Sequence, residues 1–268
     1  MEIKSTQNPR IKQVVKLQQN ARERKEKGLF VVEGIRECCI AINSGYAPCE
    51  VYLCNEIYKP DSFYSIRIDE FPKEIIFQVS SEVYSKMAYR SSVEGIIIVF
   101  HSKFNNLHNL TLDESCLLLV LEKVEKPGNL GAIFRTADAA GVSAVLVCDP
   151  ASDPFNPNTI RSSLGCIFSV PWVITDSEEA IGWLREESIK IISSTPEASK
   201  IYTGASFTGK CAVVMGAEDK GLSHCWLNKS DVLVRIPMLG RIDSLNVSVS
   251  AAVLLFEAQR QRAECRIR

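Results

Sequence analysis

The stretch Val234-Arg-Ile-Pro-Met-Leu-Gly-Arg-Ile-Asp-Ser-Leu-Asn-Val-Ser-Val-Ser-Ala-Ala-Val-Leu-Leu-Phe-Glu257 changes character twice. It opens inside an apolar run, residues 232–236, that reads as a strand. Pro237 cannot donate to a sheet ladder, so the strand should stop there. A loop follows, with Gly240 as its flexible point. Near Ser244 to Asn246 a helix should begin, because Ser and Asn side chains can satisfy the free N–H groups of a first helical turn. That helix should run to about Arg262. From Val247 through Phe256 its apolar side chains point almost all round. Such a helix is buried, or it packs on a partner as well as on its own domain. Asp243, Ser244 and Asn246 therefore stand on a tight loop between two buried elements, a position where function concentrates.

Upstream the same grammar repeats. Residues 117–121 read as a buried strand, and a helix over 131–140 is stopped by Gly141. A strand at 144–148 is followed by a proline-containing loop. A short helix over 159–163 ends at Gly165. An amphipathic helix covers 177–187, and further strands fall at 190–194 and 211–215. Long apolar strands with little alternation point to a parallel sheet covered on both faces. Residues 103–115 are polar and Asn-rich and read as a linker. Before them, strands at 29–33, 50–54, 74–79 and 95–100 alternate with helices at 35–43 and 81–88, which suggests a small α/β sandwich. Asn8-Pro9 is an N-cap followed by Pro at the first helical position, and one helix should run from there to Gly28. We therefore expect two α/β domains, residues 1–104 and 105–268.

The totals are compatible with this: 268 residues, 46% of them hydrophobic, suit two ordinary domains. The net charge of −1 hides an asymmetry. Residues 1–27 carry an excess of Lys and Arg over Glu, which makes the first helix a candidate phosphate-contacting surface. A solvated helix face is the competing reading. The ten cysteines include no C-x-x-C, and Cys116, Cys148 and Cys211 lie in apolar runs. They read as reduced core residues of a cytoplasmic protein. His101, His108 and His224 are scattered, so no metal site is legible. The N-terminus lacks the apolar run of a signal peptide, and no stretch is long enough to span a membrane.

Three loops follow strand C-termini, where open α/β sheets bind ligands. They contain Asn129 and Arg135, Glu218, and Ser244 with Asn246. Each loop alone could be a glycine-containing turn. Together they carry an Arg, a Glu and two Asn residues that need hydrogen-bonded partners or a ligand. A dinucleotide site would want G-x-G-x-x-G, and only Gly128 and Gly131 are present before Ile133 and Phe134.

At these residues the chain resembles the SpoU (TrmH-type) RNA ribose 2′-O-methyltransferases of the SPOUT superfamily. Pro127-Gly-Asn-Leu-Gly-Ala-Ile-Phe-Arg-Thr-Ala137 is similar to the family's first motif. Met215-Gly-Ala-Glu-Asp-Lys-Gly-Leu222 is similar to its second, and Ile236-Pro-Met-Leu-Gly-Arg-Ile-Asp-Ser-Leu-Asn-Val-Ser-Val249 to its third. Thr159-Ile-Arg-Ser-Ser-Leu-Gly165 resembles the family's intermediate segment. The N-terminal part resembles an L30e-like RNA-binding domain through Phe30-Val-Val-Glu-Gly34 and the basic first helix.

The resemblance implies a SPOUT parallel sheet with a C-terminal trefoil knot, preceded by a small L30e-like α/β domain. It implies S-adenosylmethionine as cofactor, contacted by Gly216, Ile236, Leu245 and Asn246, with Met238 lining the adenine pocket. It implies a homodimer formed through the knotted domain, and methyl transfer to a ribose 2′-hydroxyl of structured RNA. Ribosomal RNA is favoured over tRNA, because the separate L30e-like domain is typical of ribosomal members. Arg135 matches the family's proposed catalytic arginine. Guanidinium is effectively always charged, so Arg135 is expected to grip an RNA phosphate and orient the hydroxyl rather than act as a simple base. Asn129 and Asn246 would hold the loop geometry and the ribose. Glu218 would position Arg135 or the knot loop, and Ser244 would support the same network. The alternatives are a knotted RNA-binding protein without transfer, and methylation of a base.

Overall fold

A computed structural model describes residues 2–60, 63–90 and 94–267. Their contacts divide the chain into two units, residues 1–103 with 153–169, and residues 104–152 with 170–268. The first unit begins with β1 (Glu2–Ile3), α1 (Pro9–Gln19), α2 (Ala21–Lys27), β2 (Leu29–Glu33) and α3 (Ile35–Asn43). It continues with β3 (Pro48–Leu53), β4 (Ile76–Val79), α4 (Ser81–Met87) and β5 (Ile96–His101). The chain then enters the second unit with β6 (Leu117–Glu122), α5 (Pro127–Ala139) and β7 (Ala144–Cys148). It returns to the first unit for α6 (Pro157–Ser163) and α7 (Cys166–Ser169). The second unit is completed by β8 (Trp172–Thr175), α8 (Ser177–Glu186), β9 (Lys190–Ser194), β10 (Lys200–Ile201), β11 (Cys211–Met215), α9 (His224–Lys229), β12 (Val232–Arg235) and α10 (Val247–Ile267).

In the first unit the strands are ordered β1-β4-β3-β5-β2, with β5 antiparallel to both neighbours. Ile11, Val14 and Leu17 of α1 share a core with Val83, Tyr84 and Met87 of α4 and with Val31 of β2. Phe30, one residue earlier on β2, points the other way, as strand alternation requires. Its ring stacks on Phe155 at 4.2 Å and on Phe168 at 5.7 Å. Segment 153–169 was read from the sequence as part of the second half; its aromatic side chains complete this core instead. Gly165, at φ +88°, lets the segment approach α3 so closely that a Cβ there would lie 2.9 Å from Ile40 Cδ1.

The single helix expected up to Gly28 is two helices. The chain breaks at Asn20 (φ −126°, ψ 110°), whose side chain accepts from the N–H groups of Arg22 and Glu23 and so caps α2. Arg24 supplies the physical reason. It is 3% exposed, and its guanidinium donates to the carbonyls of Leu17 (2.5 Å) and Gln18 (3.1 Å) and to Asp153 (2.6 Å). Those carbonyls would have been satisfied internally by a continuous helix. Gly28, at φ +61°, ends α2 in the left-handed conformation.

The second unit is the parallel sheet expected, in the order β10-β12-β9-β11-β6-β7-β8. Phe104 onward belongs to this unit, so the stretch read as a linker is packed: Leu107 is buried and the Asn105 amide donates to the Trp172 carbonyl at 3.1 Å. Trp226 of α9 is fully buried, and its indole N–H donates to Ser177 Oγ (3.0 Å), which in turn donates to Asp149 (2.6 Å). Helix α10 runs past the expected end at Arg262. The Arg262 guanidinium is buried and donates to the carbonyls of Phe207 (3.0 Å), Gly209 (2.6 Å) and Cys116 (3.2 Å). Buried charge is tolerated when its donors find acceptors, and here those acceptors fasten the far end of α10 to the segments that lead into β6 and β11.

Candidate functional site

β6, β11 and β12 are members of one parallel sheet, so the loops that follow them lie at one edge. After β6 the chain turns through Lys123, at φ +53°. Pro127 opens α5 at a position whose N–H would be unsatisfied anyway. After β11, Ala217 and Gly221 exchange two backbone hydrogen bonds of 3.1 and 3.0 Å. This closes a small loop with Glu218, Asp219 and Lys220 at its tip. The Glu122 carboxylate, buried at the end of β6, accepts from Ser223 N–H at 2.8 Å and ties the two loops together. After β12, residues 236–245 take part in no backbone–backbone hydrogen bond among the described residues.

The three loops converge on Glu218. Its carboxylate accepts from the Lys126 ammonium, from the Asn129 amide and, at 3.2 Å, from the Asn246 amide. Asn246 also donates to Asn129 Oδ1 at 3.3 Å. Its own Oδ1 accepts from the N–H (3.0 Å) and hydroxyl (2.6 Å) of Ser248, which caps α10. Glu218 beside it raises the Lys126 ammonium above its usual pKa, so Lys126 stays charged.

Asn129, Glu218 and Asn246, singled out from the sequence, are thus in mutual contact. Arg135 is not among them. It is exposed about two turns into α5 and has no hydrogen-bond or ion-pair partner among the described residues. Glu218 therefore holds the loops and not Arg135. Ser244 is exposed, and among the described residues its hydroxyl donates only to its neighbour Asp243, at 3.2 Å. Gly216, Ile236, Met238 and Leu245 are half-buried along the second and third loops. Lys126 was missed in the sequence. The available signal was a lone cation just before Pro127, in a loop expected to meet the acidic Glu218 loop. No cluster of His, Cys, Asp or Glu suited to a metal ion occurs among the described residues.

Among the described residues, the arrangement offers a ligand a rim of backbone groups not bonded to other backbone, a fixed pair of amides and a guanidinium without a partner. The SpoU rRNA Methylase family model matches residues 116–256, and the MRM3-like substrate binding domain model matches residues 8–97. The 23S rRNA (guanosine-2′-O-)-methyltransferase RlmB of Vibrio parahaemolyticus is 36% identical over 193 residues, covering 70% of this chain and 78% of that protein. A crystal structure of an RNA 2′-O ribose methyltransferase aligns with TM-score 0.85 at 35% identity, covering 98% of this chain and 100% of the other. An AdoMet-bound rRNA methyltransferase from Sinorhizobium meliloti aligns with TM-score 0.87 at 26% identity, covering 97% of each chain.

Proposed function

The chain belongs to the SpoU rRNA methylase family, and from that premise we propose that it transfers methyl from S-adenosylmethionine to a ribose 2′-hydroxyl of ribosomal RNA. The observation that carries the reading is the meeting of Asn129, Glu218 and Asn246 from three separate loops at one sheet edge, with Arg135 unengaged.

The residues fit the cofactor. Backbone groups of 236–245 make no backbone–backbone hydrogen bond among the described residues, and Ile236, Met238 and Leu245 add half-buried apolar surface. Gly216, Ile236, Leu245 and Asn246 would hold it, with Met238 beside the adenine. When bound, S-adenosylmethionine would supply a sulfonium methyl carbon to the 2′ oxygen, the C–S bond breaking as the O–C bond forms, so that the thioether S-adenosylhomocysteine leaves and the hydroxyl proton passes to solvent. A hydroxyl is a poor nucleophile until it is oriented and its proton is polarised. Arg135 presents the planar donor fork of a guanidinium, suited to a bidentate grip on the phosphate next to that hydroxyl. Asn129 and Asn246, fixed by Glu218, hold the loop and the ribose. Among the described residues the Ser244 hydroxyl bonds only Asp243, so its place in this proposal is toward the RNA rather than in the Glu218 cluster. We infer the same trefoil threading of the C-terminal chain that the family resemblance implies, and an enzyme that works in the cytoplasm. No helix among the described residues is long and apolar enough to cross a membrane.

The partner proposed for the second unit is another copy of the chain. Leu254, Leu255 and Ala258 of α10 are buried, while Val249 and Phe256 remain 47% and 52% exposed. Val249 and Phe256 are seven residues apart and so share a face. Val249→Asp combined with Phe256→Asp is expected to convert a dimer to monomers in sedimentation equilibrium. An unchanged mass, or a monomeric wild type, would remove the dimer from this reading.

The reaction itself is tested with tritiated S-adenosylmethionine and 23S rRNA. We expect label in a 2′-O-methylated nucleoside whose 3′ phosphodiester survives alkali, because the attacking oxygen is blocked. Label in an alkali-labile nucleotide would mean base methylation. Binding of cofactor and RNA without transfer would mean a knotted RNA-binding protein.

A further inference from the structure

The basic stretch at residues 1–27 is largely consumed inside the first unit. Arg10 pairs with Glu50 and lies over the Phe77 ring at 4.6 Å. Arg22 pairs with Glu26, and Arg24 is buried on Asp153. Lys16 and Lys27 both reach Glu23, at 2.6 and 3.5 Å. The Lys16 ammonium and the Gln13 amide hold the Glu23 carboxyl down at about 2. Lys12 and Lys25 have no such partner among the described residues.

Lys12 lines a groove. The groove, about 180 Å³, lies between α1 and α4. Its apolar lining is Ile11 and Val15, and Lys12, Lys16 and Lys86 stand around it with Thr6 and Gln19. Lys86 comes from α4, and it too has no ion-pair partner among the described residues. The two helices are held in register, because the Gln18 amide donates to the Met87 carbonyl at 2.8 Å. Lys12 and Lys16 are four apart on one helix, a spacing at which like charges repel. The facing Lys86 adds a third ammonium, and Glu23 offsets only Lys16. Such a cluster is relieved by a polyanion laid along it, with each phosphate contact releasing condensed counterions.

We propose that this α1–α4 groove is a phosphate-holding site for an RNA backbone, with Lys12 and Lys86 as its free ammonium groups and Lys16 as the third. Val15, half-buried beside these lysines, receives the sugar between two phosphates, with the buried Ile11 behind it. The assignment rests on the RNA-methyltransferase reading and adds where the substrate is gripped away from the reacting loops.

The test measures binding separately from transfer. Fluorescence anisotropy with a labelled single-stranded RNA of about 20 nucleotides gives Kd as a function of salt for the wild type. The same is measured for Lys12→Gln/Lys86→Gln and for a control with equal charge loss, Lys59→Gln/Lys73→Gln. All four side chains are exposed, so the fold should be retained. At low salt the groove variant is expected to bind roughly tenfold more weakly, and its slope of log K against log salt to fall by about 1.4, two single-strand phosphate contacts. The control should stay within about twofold of wild type. With 23S rRNA the groove variant should raise KM and keep kcat. Equal losses in variant and control, no loss in either, or no RNA binding by the wild type would overturn the groove. RNA binding lost in the variant alone, from a wild type that transfers no methyl, would support the groove and sink the transferase reading.

Discussion

Arg135→Lys is expected to lower kcat by roughly a hundredfold or more, the scale seen when one preorganised donor is taken from a reacting centre. Affinity for S-adenosylmethionine should stay within about twofold, because Arg135 bonds none of the loops proposed to hold it. The side chain is exposed and makes no hydrogen bond or ion pair among the described residues. Removing it therefore leaves no buried group unsatisfied, and the melting temperature should not move. Lysine keeps the charge but replaces a planar, two-pronged donor with a point charge on a flexible stem. It can still attract phosphate; it cannot fix the ribose that the phosphate carries. Single-turnover transfer to 23S rRNA at saturating cofactor separates the two contributions. Wild-type turnover in the lysine variant would show that attraction alone suffices and would remove the orienting role.

Gly216→Ala should do the opposite, losing the cofactor before the chemistry. A Cβ on Gly216 would lie 2.3 Å from the carbonyl carbon of Gly221, 2.4 Å from its oxygen and 2.5 Å from Leu222 N. All three are backbone atoms, so no side chain can rotate aside. Gly216 does not have a positive φ; the obstacle is space and not conformation. The loop closed by Ala217 and Gly221 must open or shift, and Glu218 at its tip shifts with it, loosening Asn129 and Asn246. Overpacking of this kind costs about 1–3 kcal/mol of stability. A comparable loss in the proposed cofactor site corresponds to roughly tenfold or more in Kd. Calorimetric titration with S-adenosylmethionine, alongside a thermal melt, reads both. A variant with wild-type affinity and melting temperature would show that the loop yields freely and that Gly216 is not part of a rigid wall.

Much of this site was visible in the sequence because its loops join long apolar strands to well-punctuated helices. The runs that became β6, β11 and β12 have few polar interruptions, and Pro127, Pro237 and Asn246 mark the turns on their own chemistry. What escaped was decided by tertiary contacts. Asn20 is an ordinary residue in a helical stretch until the burial of Arg24 favours a break there. β1 and β10 are two residues long, too short for any period to register. Helix α9 is short as well, and its identity depends on Trp226 finding Ser177, far away in sequence. Lys126 and Lys86 are single cations whose significance comes from what other elements place beside them. Of the two tasks expected of Glu218, positioning Arg135 or the knot loop, its contact with Asn246 matches the second; motif order gives which loops gather, and not which side chains within them touch.

The return of residues 153–169 to the first unit has a consequence for how the molecule could have been assembled in evolution. A head fused end to end onto a finished enzyme would meet it at one junction and could be exchanged by one recombination event. Here the chain changes unit at 103/104, at 152/153 and again at 169/170. Cutting after Lys103 would free a head whose Phe30 lacks the stacking rings of Phe155 and Phe168, and would leave the tail with an orphaned aromatic segment. A replacement head would have to fit Phe155 and Phe168, which lie beyond residue 152 in the chain.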